Sequence, residues 1–142
     1  MATIQQFEEL DVWKTSRALT NRVYEHTQGE PFSKDFGLRN QIQRAAVSVM
    51  SNIAEGFESR TQSVFIDLLG RARGSAGEVR AQLYIALDQG YITQAQFDET
   101  YDLADKASRQ IYRLIKYLES RPNASRVREE KALYDIDTDG EE

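Results

Sequence analysis

Arg39 to Ser59 reads RNQIQRAAVSVMSNIAEGFES, and its spacing decides the fold. Counting Leu38 just before it, Leu38, Ile42, Ala45, Val49 and Ile53 recur at steps of four and three, and Ala46 and Ala54 widen the stripe. This is the 3.6-residue period of an amphipathic helix, with an apolar face broad enough to need partners on more than one side. Ser48 and Asn52 lie beside the stripe one turn apart, so their side chains face other protein and need hydrogen-bond partners there. Gly56 is expected to close the helix in the left-handed conformation. Together with an N-terminal cap from Ser33 or Asp35, the pattern predicts a helix over about 35–57.

The flanking sequence repeats this design. Val12, Ser16, Leu19 and Val23 form a stripe flanked by Trp13 and Tyr24, and Gly29 and Pro31 stop it, which predicts a first helix over about 9–28. Trp13 at helical spacing reads as packing rather than as a ligand-stacking ring. After Gly56, Ser59 with Gln62, or Thr61, caps a third helix running to Gln89, close to 40 Å at about 1.5 Å per residue. Its middle, GRARGSAGE, holds Gly70, Gly74 and Gly77, each costing up to about 1 kcal/mol relative to alanine in a helix interior. These glycines share one face with Ala81, so a close helix crossing is the expected compensation. Leu69, Ala72, Ala76, Val79 and Leu83 keep the helical rhythm through the run, which favours continuity over a break. TQAQ at Thr93–Gln96 is a capping box, and Phe97, Tyr101, Ala104, Ala107, Ile111, Leu114, Ile115 and Leu118 line one side of a fourth helix that Pro122 halts. Short loops between long helices predict an all-α, antiparallel up-down-up-down four-helix bundle over 9–121. Residues 1–8 are expected to form an N-terminal arm with Phe7 as its anchor, and 122–142 an acidic, mostly disordered tail.

The 142-residue length suits one domain with a core of its own. With no cysteine, disulfides, thiolate metal sites and cysteine nucleophiles are excluded. No apolar run approaches the roughly 18 residues of a membrane span and no basic-then-apolar segment opens the chain, so a soluble cytoplasmic protein is expected. The net charge of −5 is unevenly spread: after Arg121 there are three basic and seven acidic residues, a balance of −4. That leaves −1 for the body, with fifteen basic and sixteen acidic residues, a balance that neither supports nor excludes a local basic face.

Catalytic chemistry finds little footing. His26 is the only histidine and lacks the Glu-x-x-His spacing of di-iron bundles. DIDTDGEE at the C-terminus lacks the flanking helices and the distal glutamate of an EF-hand, and GRARGSAGE is not a phosphate loop, which needs a preceding strand and a lysine. No cofactor or metal is therefore expected. Glu55, a carboxylate at the unfavourable end of a helix dipole, would serve as a general base only if buried and joined by a second group. What remains is arginine. Arg39, Arg44, Arg60, Arg71, Arg73 and Arg80 fall on helices 2 and 3, and Arg109, Arg113 and Lys116 form a stripe on helix 4; such residues neutralise phosphates, or else form a solvated face interleaved with Asp and Glu. Phe65, Tyr84, Ile85 and Tyr112 lie off the main apolar stripes, so a single bundle should leave apolar surface for self-association.

Gln41, Arg44, Ala45, Ser48, Asn52, Ile53, Ala54, Glu55 and Gly56 together resemble the signature of the bacterial 23S rRNA intervening-sequence proteins, a four-helix-bundle family. FEELDVWKTS, GRARGSAGE and QGYIT extend the resemblance over roughly 7–120. Related to that family is the accessory variability determinant of diversity-generating retroelements, a homopentamer that binds a reverse transcriptase and nucleic acid. The resemblance implies a ring of bundles and a non-catalytic scaffold for RNA, DNA or a nucleic-acid-processing protein. A purely structural homo-oligomer is the alternative, and a small enzyme a more distant one.

Overall fold

The computed structural model describes residues 4–121. Four α-helices occupy them: α1 Asp11–Gln28, α2 Phe36–Glu58, α3 Gln62–Asp88 and α4 Gln94–Ser120, with 3-10 turns at Phe7–Glu9 and Phe32–Lys34 and no strand among the described residues. The tail expected over 122–142 lies outside them, as do the first three residues of the expected arm. Each helix packs on the next, and α1 closes the set against α4, giving a four-sided bundle. Cross-helix hydrogen bonds tie Thr20 to Ala46, Gln62 to Leu118 and Arg80 to Asp105.

Local chemistry sets the helix ends. Asp35 caps α2 by accepting from the Leu38 amide at 3.1 Å, Thr61 caps α3 by accepting from Val64, and Thr93 with Gln96 forms a reciprocal box at the start of α4; each satisfies amides that lack intrahelical partners. The first helix starts at Asp11 rather than near Glu9. Glu9 instead accepts from the Gln5 and Gln6 amides, which closes the preceding 3-10 turn. Phe7 then lies edge-on to Trp13, ring centroids 5.1 Å apart, and Ile4 and Leu10 are fully buried beside them. At the far end of α3, Gly90 adopts φ 76°, and the Tyr91 amide reaches back to Ala86, a glycine-dependent C-terminal closure.

The core divides along the bundle axis. One half gathers Val49, Ile53, Phe57, Phe65, Leu69, Ile111 and Leu114; the other gathers Leu19, Val23, Phe32, Ile42, Leu83 and Phe97. Full burial of one such side chain contributes roughly 1.5–3 kcal/mol. The predicted apolar stripes of α1 and α2 are the buried faces, and α3 runs unbroken through GRARGSAGE.

Three expectations are corrected. Gly56 does not end α2, which continues to Glu58 with Gly56 buried inside it; its hydrogen atom is needed because a Cβ there would sit 2.7 Å from Cδ1 of Phe65 and 3.3 Å from Cβ of Leu68. The close α2–α3 approach is therefore at Gly56 and not at the α3 glycines: a Cβ on Gly70 or Gly74 would meet nothing within 4 Å, and on Gly77 only the Arg80 guanidinium at 3.7 Å. Phe65, expected off the core, is fully buried and packs edge-on against Phe57 at 6.1 Å.

Candidate nucleic-acid interface

Two seams carry the polar residues that the sequence singles out. On α2, Gln41, Arg44, Ser48, Asn52 and Glu55 follow one another at steps of three and four and so share a face. Asn52 donates to the Ser48 carbonyl at 2.8 Å and to its hydroxyl at 2.9 Å, and Ser75 of α3 donates to the same hydroxyl at 2.9 Å. The expected Ser48–Asn52 network thus exists and ties α2 to α3. Just beyond it, Gln41, Arg44, Ala45, Ser48, Ser75 and Glu78 line an open cleft of about 430 Å³. Glu55 is exposed, so the burial that a general base would require is missing.

The second seam joins α3 to α4, and here the predicted basic residues converge. Asp105 of α4 stands between two arginines: Arg80 Nη1 donates to its Oδ1 at 3.2 Å, and Arg109 Nε lies 3.4 Å from its Oδ2. One to two turns along, Arg73 of α3 lies over the Tyr112 ring at 4.8 Å from guanidinium carbon to centroid, and Lys116 approaches the same ring at 5.4 Å, within the range of cation–π attraction. Lys116 also pairs with Glu119 at 3.6 Å. Arg113 follows Arg109 by one turn of α4 and is half-buried. From Asp105 to Lys116 the seam runs about 16 Å at 1.5 Å per residue. At its other end Tyr84 packs against Phe97 and Tyr101 with centroids 4.9 and 5.7 Å apart, and burial pushes the Tyr101 hydroxyl above its ordinary pKa.

The other predicted cations lie elsewhere, so helices 2 and 3 do not hold one arginine cluster. Arg39 covers the exposed Phe36 ring at 4.8 Å and donates to the Ser33 carbonyl, Arg44 borders the α2 clefts, and Arg60 and Arg71 are exposed, the former in the α2–α3 turn. The arrangement of α3 and α4 selects Arg73, Arg80, Arg109, Arg113 and Lys116 from the nine. Sequence reasoning passed over Asp105 and Tyr112 as members of the seam; the i, i+4 spacing of Asp105 to Arg109 is the signal that would have found the first.

His26, the lone histidine, bridges α1 to α4: Nε2 is 2.7 Å from the hydroxyl of the fully buried Thr100. Beside it Arg22 pairs with Glu99 at 2.6 Å. Burial lowers the imidazole pKa from 6.5, with Arg22 acting in the same direction and Glu25 and Glu99 opposing. Among the described residues no group of three or more His, Cys, Asp or Glu is placed to hold a metal ion, and no helix is long and apolar enough to cross a membrane.

Comparison with known proteins places this geometry in context. The family model of the 23S rRNA-intervening sequence protein matches residues 8–113. Among solved structures, a protein of unknown function from the S23 ribosomal protein family of Bacteroides thetaiotaomicron superposes with a TM-score of 0.68 at 25% identity, over 74% of this chain and 98% of that one. No curated protein matches the chain.

Proposed function

The chain belongs to the family of 23S rRNA-intervening sequence proteins, and from that membership we propose that it is a non-catalytic cytoplasmic scaffold that binds RNA along the α3–α4 seam. In this reading the helices run antiparallel, up-down-up-down, and the bundles assemble as a homopentameric ring. The seam then serves RNA directly or holds RNA or DNA for a nucleic-acid-processing protein such as a reverse transcriptase. The observation that carries the proposal is the seam itself, where Arg73 and Lys116 flank Tyr112 next to the Arg80–Asp105–Arg109 cluster. Basic side chains supply phosphate contacts, and an aromatic ring among them supplies a surface on which a base can stack. Paired contacts that run in opposite senses along neighbouring helices support the antiparallel order: Thr20 with Ala46 and Thr27 with Gln43, Ser48 with Ser75 and Gly56 against Phe65, Arg80 with Asp105 and Arg73 over Tyr112.

The test is a titration of labelled structured RNA against the full chain and a form truncated after Arg121. Binding should weaken steeply between about 50 and 200 mM salt, and Arg109→Glu with Arg113→Glu should abolish most of it. Truncation removes a segment with seven acidic and three basic residues, so the shorter form should bind more tightly. Absence of salt-sensitive binding by either form would replace this reading with the purely structural homo-oligomer. That second reading has its own support in the outer face of α3, where Tyr84, Ile85 and Val64 stay 51, 47 and 43% exposed.

A further inference from the structure

Asp105 is more exposed than either of the two arginines that face it. Arg80 comes from α3 and donates to Oδ1 of the carboxylate, while Arg109 from α4 faces Oδ2 at ion-pair distance, its buried Nε making no hydrogen bond. The Arg80 and Arg109 side chains are 32 and 18% exposed, against 40% for Asp105, so the anion is the outermost member of the cluster. Its contacts, at 3.2 and 3.4 Å, are long beside the roughly 2.7–2.9 Å of a strong charge-assisted bond. The Arg22–Glu99 pair between α1 and α4 closes to 2.6 Å, so this bundle does make tight clamps where two helices are pinned. A guanidinium recognises a phosphate with the same donor geometry as a carboxylate, and a phosphodiester likewise offers two oxygens to two donors.

We propose that Arg80 and Arg109 are a phosphodiester-binding pair, occupied in the free protein by the chain's own Asp105, and that an RNA backbone laid along the seam displaces that carboxylate. The inference rests on the reading of the seam as an RNA interface and adds its central contact. Asp105 keeps the two guanidinium groups oriented while no ligand is present and sets the affinity by competing for them. Arg73, Tyr112 and Lys116 lie further along the same line, where the next nucleotides would pass.

The experiment compares wild type, Asp105→Asn, and the double variant Arg80→Gln/Arg109→Gln in anisotropy titrations with labelled oligouridine at several salt concentrations. Asp105→Asn should bind several-fold more tightly than wild type. The double variant should bind more weakly and lose about 1.4 from the slope of log affinity on log salt, the value for two single-strand phosphate contacts at about 0.7 each. Unchanged or weaker binding by Asp105→Asn, with a lower melting temperature, would make Asp105 a structural clamp and overturn the proposal. If wild type shows no salt-sensitive RNA binding, the broader reading of the seam fails, and inorganic pyrophosphate then judges the pair. Greater thermal stabilisation of Asp105→Asn than of wild type, absent in the double variant, keeps the phosphate site; equal stabilisation removes it. Should Asp105→Asn not fold, the Arg109 Nε–H resonance of wild type decides the matter: it should shift during RNA titration, and an unmoved signal refutes displacement.

Discussion

A Cβ on Gly56 would lie 2.7 Å from the Phe65 ring and 3.3 Å from Cβ of Leu68; one on Gly74 would lie in open space. Alanine at Gly74 therefore gains helix propensity, about 0.5–1 kcal/mol, without a clash inside the chain. At Gly56 the same substitution drives α2 away from α3 or Phe65 off its rotamer, a cost of about 1–3 kcal/mol that exceeds the propensity gain. Chemical denaturation should show Gly56→Ala less stable and Gly74→Ala equal to or more stable than wild type. His26 sets a second residue-level expectation. Because its folded pKa is lowered from 6.5 by burial, the unfolded chain takes up the proton first as pH falls. The imidazole imposes no penalty above pH 6.5, and stability is lost as pH drops from there through the folded value. His26→Gln, which leaves an amide to meet Thr100, should reduce the fall in melting temperature between about pH 7 and 5. Parallel curves for the two proteins would place the pH response in other groups.

At the level of elements, caps and periods were legible because they are local. Asp35, Thr61 and Thr93 cap the helices they were expected to cap, with Asp35 and Thr61 each one of two options offered, and the α3 apolar rhythm carried the helix across three glycines. Tertiary contacts were not legible. Gly56 looks like a helix terminator until Phe65 is brought against it, and Glu9 looks helical until its carboxylate is given the Gln5 and Gln6 amides. The basic α3–α4 seam was half legible: spacing put Arg109, Arg113 and Lys116 on one face, but that Arg73 and Arg80 join them there while Arg39, Arg44, Arg60 and Arg71 lie elsewhere depends on the register of α3 against α4, which the buried side chains set. Asp35 also shows how one cap serves two elements. Its Oδ1 takes the Leu38 amide and its Oδ2 the Tyr91 hydroxyl at 2.9 Å, a bond that raises the Tyr91 pKa above 10.0. Asp35→Ala removes the cap, at about 0.5–2 kcal/mol, and also frees the α3–α4 turn. Tyr91→Phe removes the second bond alone, so denaturation should rank wild type above Tyr91→Phe and Tyr91→Phe above Asp35→Ala; equal stability of all three would show that the turn is held by packing of Tyr91 on Phe32, whose rings lie 5.0 Å apart.

At the scale of the whole molecule, the described residues leave one side of α3 uncovered. Gly70, Gly74 and Ala81 are exposed in a line, with Val64 before them and Tyr84 and Ile85 after. Small residues allow close approach of another helix, and the apolar ends supply area to bury. A repeated contact between this face and a different face of the next copy is heterologous, and closes into a ring when the rotation per subunit divides a full turn. A stable interface of that kind buries on the order of 1,000 Å² or more, more than these side chains provide alone, so neighbouring residues of the second copy must join. Light scattering should then give a multiple of 16.3 kDa, fivefold for the proposed ring. Gly74→Leu and Ile85→Glu point into solvent in the single chain, so both should keep the helical circular dichroism of wild type while lowering the measured mass. If wild type is already a 16.3 kDa species at micromolar concentration, the ring is excluded and the α3 face is simply tolerated exposure. Loss of helicity together with mass in both variants would instead mean that the bundle depends on assembly for its stability.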